Sequence, residues 1–258
     1  MLEPWALSHR KWKKKLAWWL YQRNDLKRSE FLLATAPSEA EQFARLGLTN
    51  KTVVLPNGIA FPENLPLDTR ESNPGDSNPV RTALFLSRIH PKKGLGMLAE
   101  AWAKVRPQGW RMKVVGPDAD GHRQWVESQV ERLGLRTSWE FQDAVYRTEK
   151  EKVLSNADLF ILPTFSENFG IAVAEALAYR LPVITTTGAP WQGLVDHRCG
   201  WWVAPTVEPI AHALGQATST SSKELGEMGL RGRAWVRDEF AWPTISQRLK
   251  EAYELYFP

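Results

Sequence analysis

The sequence predicts an α/β fold in which a parallel β-sheet carries helices on both faces. Two observations predict it. Short apolar runs at 82–86, 111–115, 139–141, 159–162, 183–186 and 201–203 alternate with helix-length segments at 95–105, 123–133, 148–154, 171–179 and 208–217. The connections between them are short, which joins consecutive strands through crossover helices and makes the sheet parallel.

The 258 residues correspond to between one and two domains at ~150 residues each. Thirty-three basic against 29 acidic residues give a net charge of +4, and 43% of the chain is apolar, which excludes disorder of the whole chain. The single cysteine, Cys199, forms no internal disulfide and builds no Cys-rich zinc site, as suits a reducing cytoplasm. No apolar run approaches the ~18 to 20 residues of a membrane span, and charges stand where the apolar part of a signal peptide belongs. The 13 tryptophans are roughly four times average usage, a surplus that often marks sugar stacking or an interface.

Along the chain, residues 9–15 are strongly basic, and Trp12, Leu16, Trp19 and Leu20 recur at helical spacing while Lys11, Lys14 and Lys15 lie mostly elsewhere on the wheel. This basic amphipathic helix has two readings. Its tryptophan stripe docks on its own domain, or Lys11, Trp12, Lys14, Lys15, Trp18 and Trp19 meet an anionic lipid surface. A strand follows at 31–35, then a helix with Ser38 as cap, Glu41 three residues on and Gly47 at its end, then a strand at 52–55. Residues 62–79 hold four prolines and read as a linker. The expected organisation is therefore 1–61, a linker over 62–79, a Rossmann-like domain over 80–241 and a terminal helix over 242–258.

In a parallel sheet of this kind ligands sit beyond the carboxyl ends of the strands. The loop after the first strand of the large domain reads Ser87-Arg-Ile-His-Pro-Lys-Lys93-Gly94 and opens a helix. Arg88 and Lys93 beside a helix N-terminus can hold two phosphates without metal, or form an exposed basic turn. The next strand ends in Gly116-Pro-Asp118, where backbone can approach a ligand. The segment Pro163-Thr-Phe-Ser-Glu167-Asn-Phe-Gly170-Ile-Ala-Val-Ala-Glu175 places one carboxylate in a loop at the mouth of the sheet and a second in an apolar helix. The second needs a partner, whether ligand hydroxyls or a basic residue, because a carboxylate buried unpaired is costly.

These residues carry a resemblance. The run Leu86 to Leu95, then Glu167 and Glu175 with seven residues between, then Leu181-Pro-Val-Ile-Thr185, resemble the retaining family-4 glycosyltransferases of the GT-B fold. Pro56-Asn-Gly-Ile59 resembles the interdomain hinge of that family, and the Gly188 to Gln192 and Cys199 to Val203 runs resemble members from bacterial cell-surface polysaccharide synthesis. The resemblance implies a GT-B Rossmann-like C-terminal domain, with residues 1–61 a remnant of the N-terminal acceptor-side domain. It implies that Arg88 and Lys93 hold the donor diphosphate, that Glu175 receives the ribose hydroxyls, and that Glu167 meets the donor sugar. Asn168, Phe169, Gly170 and Ile171 would add backbone contacts there, Gly116 would lie near the donor, and no metal would be needed. Three positions depart from the family. Arg180 replaces a usual glycine, at ~1 kcal/mol of strain if left-handed, Gly193 a usual glutamate, and Gln142-Asp143 a usual glycine near the base-binding loop.

The resulting expectation is a transferase moving a sugar from a nucleotide-diphosphate sugar to a lipopolysaccharide, exopolysaccharide or lipid-linked acceptor, cytoplasmic or peripheral at the inner face of the cell membrane. The alternative is a non-catalytic nucleotide-sugar-binding fragment or subunit that needs a partner chain for its acceptor site. Nucleic acid is not an expected partner, since no recognition motif accompanies the cluster at residues 10–15.

Overall fold

A computed structural model describes residues 12, 16–62, 65 and 80–256. The linker expected at 62–79 therefore lies almost wholly outside the described residues, as do Lys11, Lys14 and Lys15. The chain forms two compact units, Met1–Ile59 with Glu239–Pro258, and Ala60–Asp238.

In the first unit a π-helical turn, Trp18–Gln22, leads into α1 (Arg23–Arg28), β1 (Phe31–Ala34), α2 (Pro37–Arg45) and β2 (Lys51–Val54). The strands pair in parallel with Leu32 opposite Thr52, and the core is Leu32, Ala34, Phe43 and Leu48, packed by Trp18 and Leu26. Two expectations are corrected here. The cap of α2 is Ala36 rather than Ser38, because Pro37, its φ preset for a helix start, takes the first helical position. Glu39, not Glu41, reaches back, accepting from the Thr35 N–H at 2.7 Å and hydroxyl at 2.8 Å, while Glu41 pairs with Arg45. Of the predicted stripe, Trp12 and Trp19 are 68% and 77% exposed, and Leu16 and Leu20 are exposed with them. The π turn, adding a residue to its turn of helix, leaves Trp18 as the side chain that packs inward.

The second unit runs β3 (Arg81–Leu86), α3 (Leu95–Val105), β4 (Trp110–Val115), α4 (His122–Arg132), β5 (Trp139–Gln142), α5 (Thr148–Ser155), β6 (Leu159–Leu162), α6 (Ile171–Ala178), β7 (Val183–Thr186), α7 (Gly193–Asp196), β8 (Gly200–Val203), α8 (Val207–Ser219) and α9 (Ser222–Phe240). The final helix, α10 (Trp242–Tyr256), belongs to the first unit. All neighbouring strands are parallel, in the order β5-β4-β3-β6-β7-β8. Every residue of β6 and β7 is buried, as are Thr82 to Phe85 of β3, which requires cover on both faces of the sheet. The 19-residue α9 was not among the predicted elements, and neither was the short α7.

The tryptophan surplus divides by place. Trp102, Trp110, Trp139, Trp191 and Trp235 are buried, so much of it is core rather than a sugar or partner surface. Among the described residues no helix is long and apolar enough to cross a membrane.

Candidate active site

The strand order reverses direction at its centre. From β3 the chain crosses to β4 and β5 on one side, then returns to β6 on the other, so the loops after β3 and β6 flank the crevice where ligands of such sheets bind. The loop after β3 is fastened to the end of β4: Ser87 donates to the Val115 carbonyl at 3.1 Å and Ile89 to that of Pro117 at 2.9 Å. Gly116 closes β4 so tightly that a Cβ there would lie 1.9 Å from the Ser87 carbonyl oxygen. Ile89 is buried, and Arg88 is left exposed with no ion pair among the described residues.

A 3-10 turn, Pro91–Lys93, then swings Lys93 inward until the residue is only 7% exposed. His90 starts that turn by accepting the Lys92 N–H on Nδ1 at 3.0 Å. Burial first, and then the Arg88 charge, push the His90 imidazole below its ordinary range, so it is the neutral form that sits beside Arg88. His122 is lowered in the same way, mainly by burial. Gly94 follows in the left-handed conformation, with φ of 73°. Its missing Cβ would stand 2.0 Å from the Pro163 carbonyl oxygen, so only glycine lets the two loops approach.

The loop after β6 is tied at several points. Phe165 donates to the Lys92 carbonyl at 2.8 Å, Glu167 donates to that of Gly188 at 2.7 Å, and the Thr186 hydroxyl donates to the Thr164 carbonyl. The result sets the Glu167 carboxylate on the Lys93 ammonium, with both side chains largely removed from solvent. A buried ammonium needs such a counter-charge. Gly170, with φ of 80°, caps α6, whose first N–H groups lack intrahelical partners; Phe169 is buried, Asn168 half-buried and Ile171 exposed.

Glu175 lies one turn into α6 and pairs with Lys150 of α5 at 2.5 Å. This is the partner that an apolar helix demanded, supplied by a basic residue, and Lys150 itself was not singled out from the sequence. Beside it, burial and then the charges of Glu151 and Glu175 push the Tyr179 hydroxyl up to about 12. The structure thus joins Lys93, Glu167 and Gly170 at the centre, holds Arg88 and Gly116 at the adjoining strand ends, and gives Glu175 its own pairing with Lys150. Trp12, Trp18 and Trp19 belong to the other unit. Among the described residues no three of His, Cys, Asp and Glu cluster to hold a metal ion.

Comparison with known proteins shows the family and the fold. The family model of the glycosyl transferases group 1 matches residues 80–219, more than half of the chain. The chain belongs to that family. An uncharacterized glycosyltransferase of Methanocaldococcus jannaschii is 25% identical over 219 residues, covering 80% of this group 1 chain and 54% of the relative. The putative colanic acid biosynthesis glycosyltransferase WcaL of Escherichia coli K12 is 27% identical over 178 residues, covering 64% and 43%. The group 1 chain thus spans about half the length of the curated relatives it matches. Among solved structures, Anabaena HepE in complex with UDP and glucose superposes with a TM-score of 0.77 at 20% identity, covering 98% of this chain and 69% of that one. The fold is the α/β, GT-B type of these structures.

Proposed function

We propose that this group 1 family member binds a nucleotide-diphosphate sugar and serves as the donor half of a retaining glycosyltransferase. One observation carries the reading: Lys93 and Glu167 meet across the reversal point of the sheet, beside the N-terminus of α6. In this reading Arg88 and Lys93 neutralise the diphosphate as it leaves, without metal, and the α6 N-terminus assists. Glu167 faces the transferred sugar, flanked by the 168–171 backbone, and Glu175 receives the ribose hydroxyls. The anomeric carbon–oxygen bond to phosphate breaks, the acceptor oxygen bonds to that carbon from the same face, and its proton passes to the departing phosphate oxygen. Relatives named for colanic acid and amylovoran synthesis support a polysaccharide or lipid-linked acceptor, with lipopolysaccharide in the same class.

The exposed Trp12, Leu16, Trp19 and Leu20, next to Lys11, Lys14 and Lys15 in the sequence, support a cytoplasmic protein peripheral to an anionic membrane surface. Calorimetric titration of UDP, GDP and their hexose conjugates, with and without EDTA, tests the donor site. Binding that survives chelation is expected, and binding that disappears on chelation overturns the metal-free site. Transfer to lipid-linked acceptor, with the anomeric configuration of the product read by NMR, tests retention. Donor binding with no transfer reassigns the chain as a binding module that needs a partner chain. Vesicle sedimentation at low and high salt tests the membrane contact, which should weaken with salt.

A further inference from the structure

Outside the residues that meet the donor in this reading, the loop 163–170 is held by one side chain of unusual placement. The Trp191 indole N–H donates to the Phe169 carbonyl at 2.5 Å, and Trp191 is only 1% exposed. Its ring lies 5.2 Å from that of Phe169 and meets Trp235 of α9 edge-on at 5.5 Å. The His197 ring stacks on Trp235 at 4.5 Å. Gly193 makes room for this stack, since a Cβ there would lie 2.4 Å from the Trp235 ring. A Cβ on Gly170 would in turn lie 3.1 Å from the Trp191 indole nitrogen.

We infer that Trp191 is a positioning residue for the donor sugar, acting by fixing the orientation of the Phe169–Gly170 peptide. A trans peptide is planar, with its carbonyl and N–H pointing in opposite directions. Holding the Phe169 carbonyl on the indole therefore aims the Gly170 N–H away from Trp191. Gly170 is left-handed, a region glycine enters and leaves at little cost, so its own backbone does not choose the orientation of that peptide. The indole chooses it. The other end of the loop is set separately by the bond from Glu167 to Gly188, so Trp191 controls the sugar-facing backbone rather than the Lys93 and Arg88 pole. The inference rests on the reading of this loop as the donor-sugar contact.

Trp191→Phe keeps an aromatic ring and deletes the donor. Titration of UDP against UDP-glucose, and of GDP against GDP-mannose, into native and variant protein reads the effect. The nucleoside diphosphate should bind the variant as it binds the native chain, while the matching nucleotide sugar weakens roughly tenfold, the size expected for one buried hydrogen bond. A purely structural role would instead lower the melting temperature and both affinities together, and that result, or an unchanged ratio of the two, overturns the inference. Should Trp191→Phe fail to fold, the sulfur isostere benzothienylalanine at position 191 keeps the ring shape, removes the N–H and permits the same comparison. Failure of the native chain to bind any of the four ligands would overturn the donor reading and this inference with it.

Discussion

The Lys93 ammonium and the Glu167 carboxylate, 74 residues apart in the chain, form an ion pair between the loops after β3 and β6. Each side chain is buried enough to need the other, so the pair fastens the crevice in the state the structure shows. In the proposed reading an incoming diphosphate would share Lys93 with Glu167, and Arg88 is the cation that this pairing leaves exposed.

Glu167→Gln separates these roles. Loss of the carboxylate leaves a nearly buried ammonium unpaired, which should destabilise the protein by about 1–3 kcal/mol. It also releases Lys93 toward phosphate, so nucleoside diphosphate should bind at least as well as to the native chain while the nucleotide sugar binds worse. Denaturant unfolding and calorimetry check the two halves, and equal weakening of both ligands would refute the assignment of Glu167 to the sugar.

Arg88→Ala should behave in the opposite way. Arg88 is exposed and makes no ion pair among the described residues, so the melting temperature should hold. Affinity for nucleoside diphosphate should fall by about 1.5–3 kcal/mol, the range for hydrogen bonds to charged groups. An unchanged dissociation constant would move the phosphates elsewhere.

Glu175 and Lys150 form a second pair, and single and double substitutions apportion it. Glu175→Gln should weaken nucleoside diphosphate binding, through the ribose. Lys150→Met should lower stability by leaving Glu175 half-buried without its cation, and adding Glu175→Gln to that variant should restore part of the loss. Additive stability effects in the double variant would show that the 2.5 Å contact contributes nothing.

The sheet was legible because its strands are short apolar runs and its crossover helices have strong periodicity; the predicted helix at 95–105 and strands at 159–162 and 183–186 match the structure residue for residue. Helix α9 was hidden by Gly226, Gly229 and Gly232, which read as breakers. Two of them are needed for packing: a Cβ on Gly229 would lie 1.9 Å from the Arg180 carbonyl oxygen, and one on Gly232 2.6 Å from Leu177. The two glutamates stood out by their setting, a carboxylate in an apolar helix and another in a loop at a strand end. Their partners did not, because pairing of Lys93 with Glu167 and of Lys150 with Glu175 is decided by strand order rather than by spacing. Trp191 carried a signal in its run, Gly188 to Gln192, yet its contact with Phe169 depends on β6 and β7 lying side by side.

Cys199 gives a test of the core that needs no ligand. It is fully buried, and burial pushes its thiol up to about 12. At pH 8 the thiolate is then roughly one part in ten thousand of the native protein, against a substantial share when unfolded. As the only cysteine, it should resist a thiol reagent in the native chain and react promptly in denaturant. Fast native labelling would show that α9 and the start of β8 open readily.

Arg180 provides the last test. Its φ is 62°, left-handed, as its place after α6 implied. The Arg180 N–H donates to the Leu177 carbonyl and the Leu181 N–H to that of Ala176, the double bond of a helix end that favours glycine at this position. A side chain there costs about 1–2 kcal/mol. The Arg180 charge also stands near Arg233, whose guanidinium is lowered first by burial and next by Arg180. Arg180→Gly should therefore stabilise the protein by about 1 kcal/mol, a rise of roughly 2–4 °C in melting temperature for a domain of this size. Arg180→Ala removes the same charge and keeps the strained backbone, so it should gain less than Arg180→Gly. If Ala and Gly raise the melting temperature equally, the gain comes from the charge; if neither raises it, the contacts of the Arg180 side chain outweigh the strain.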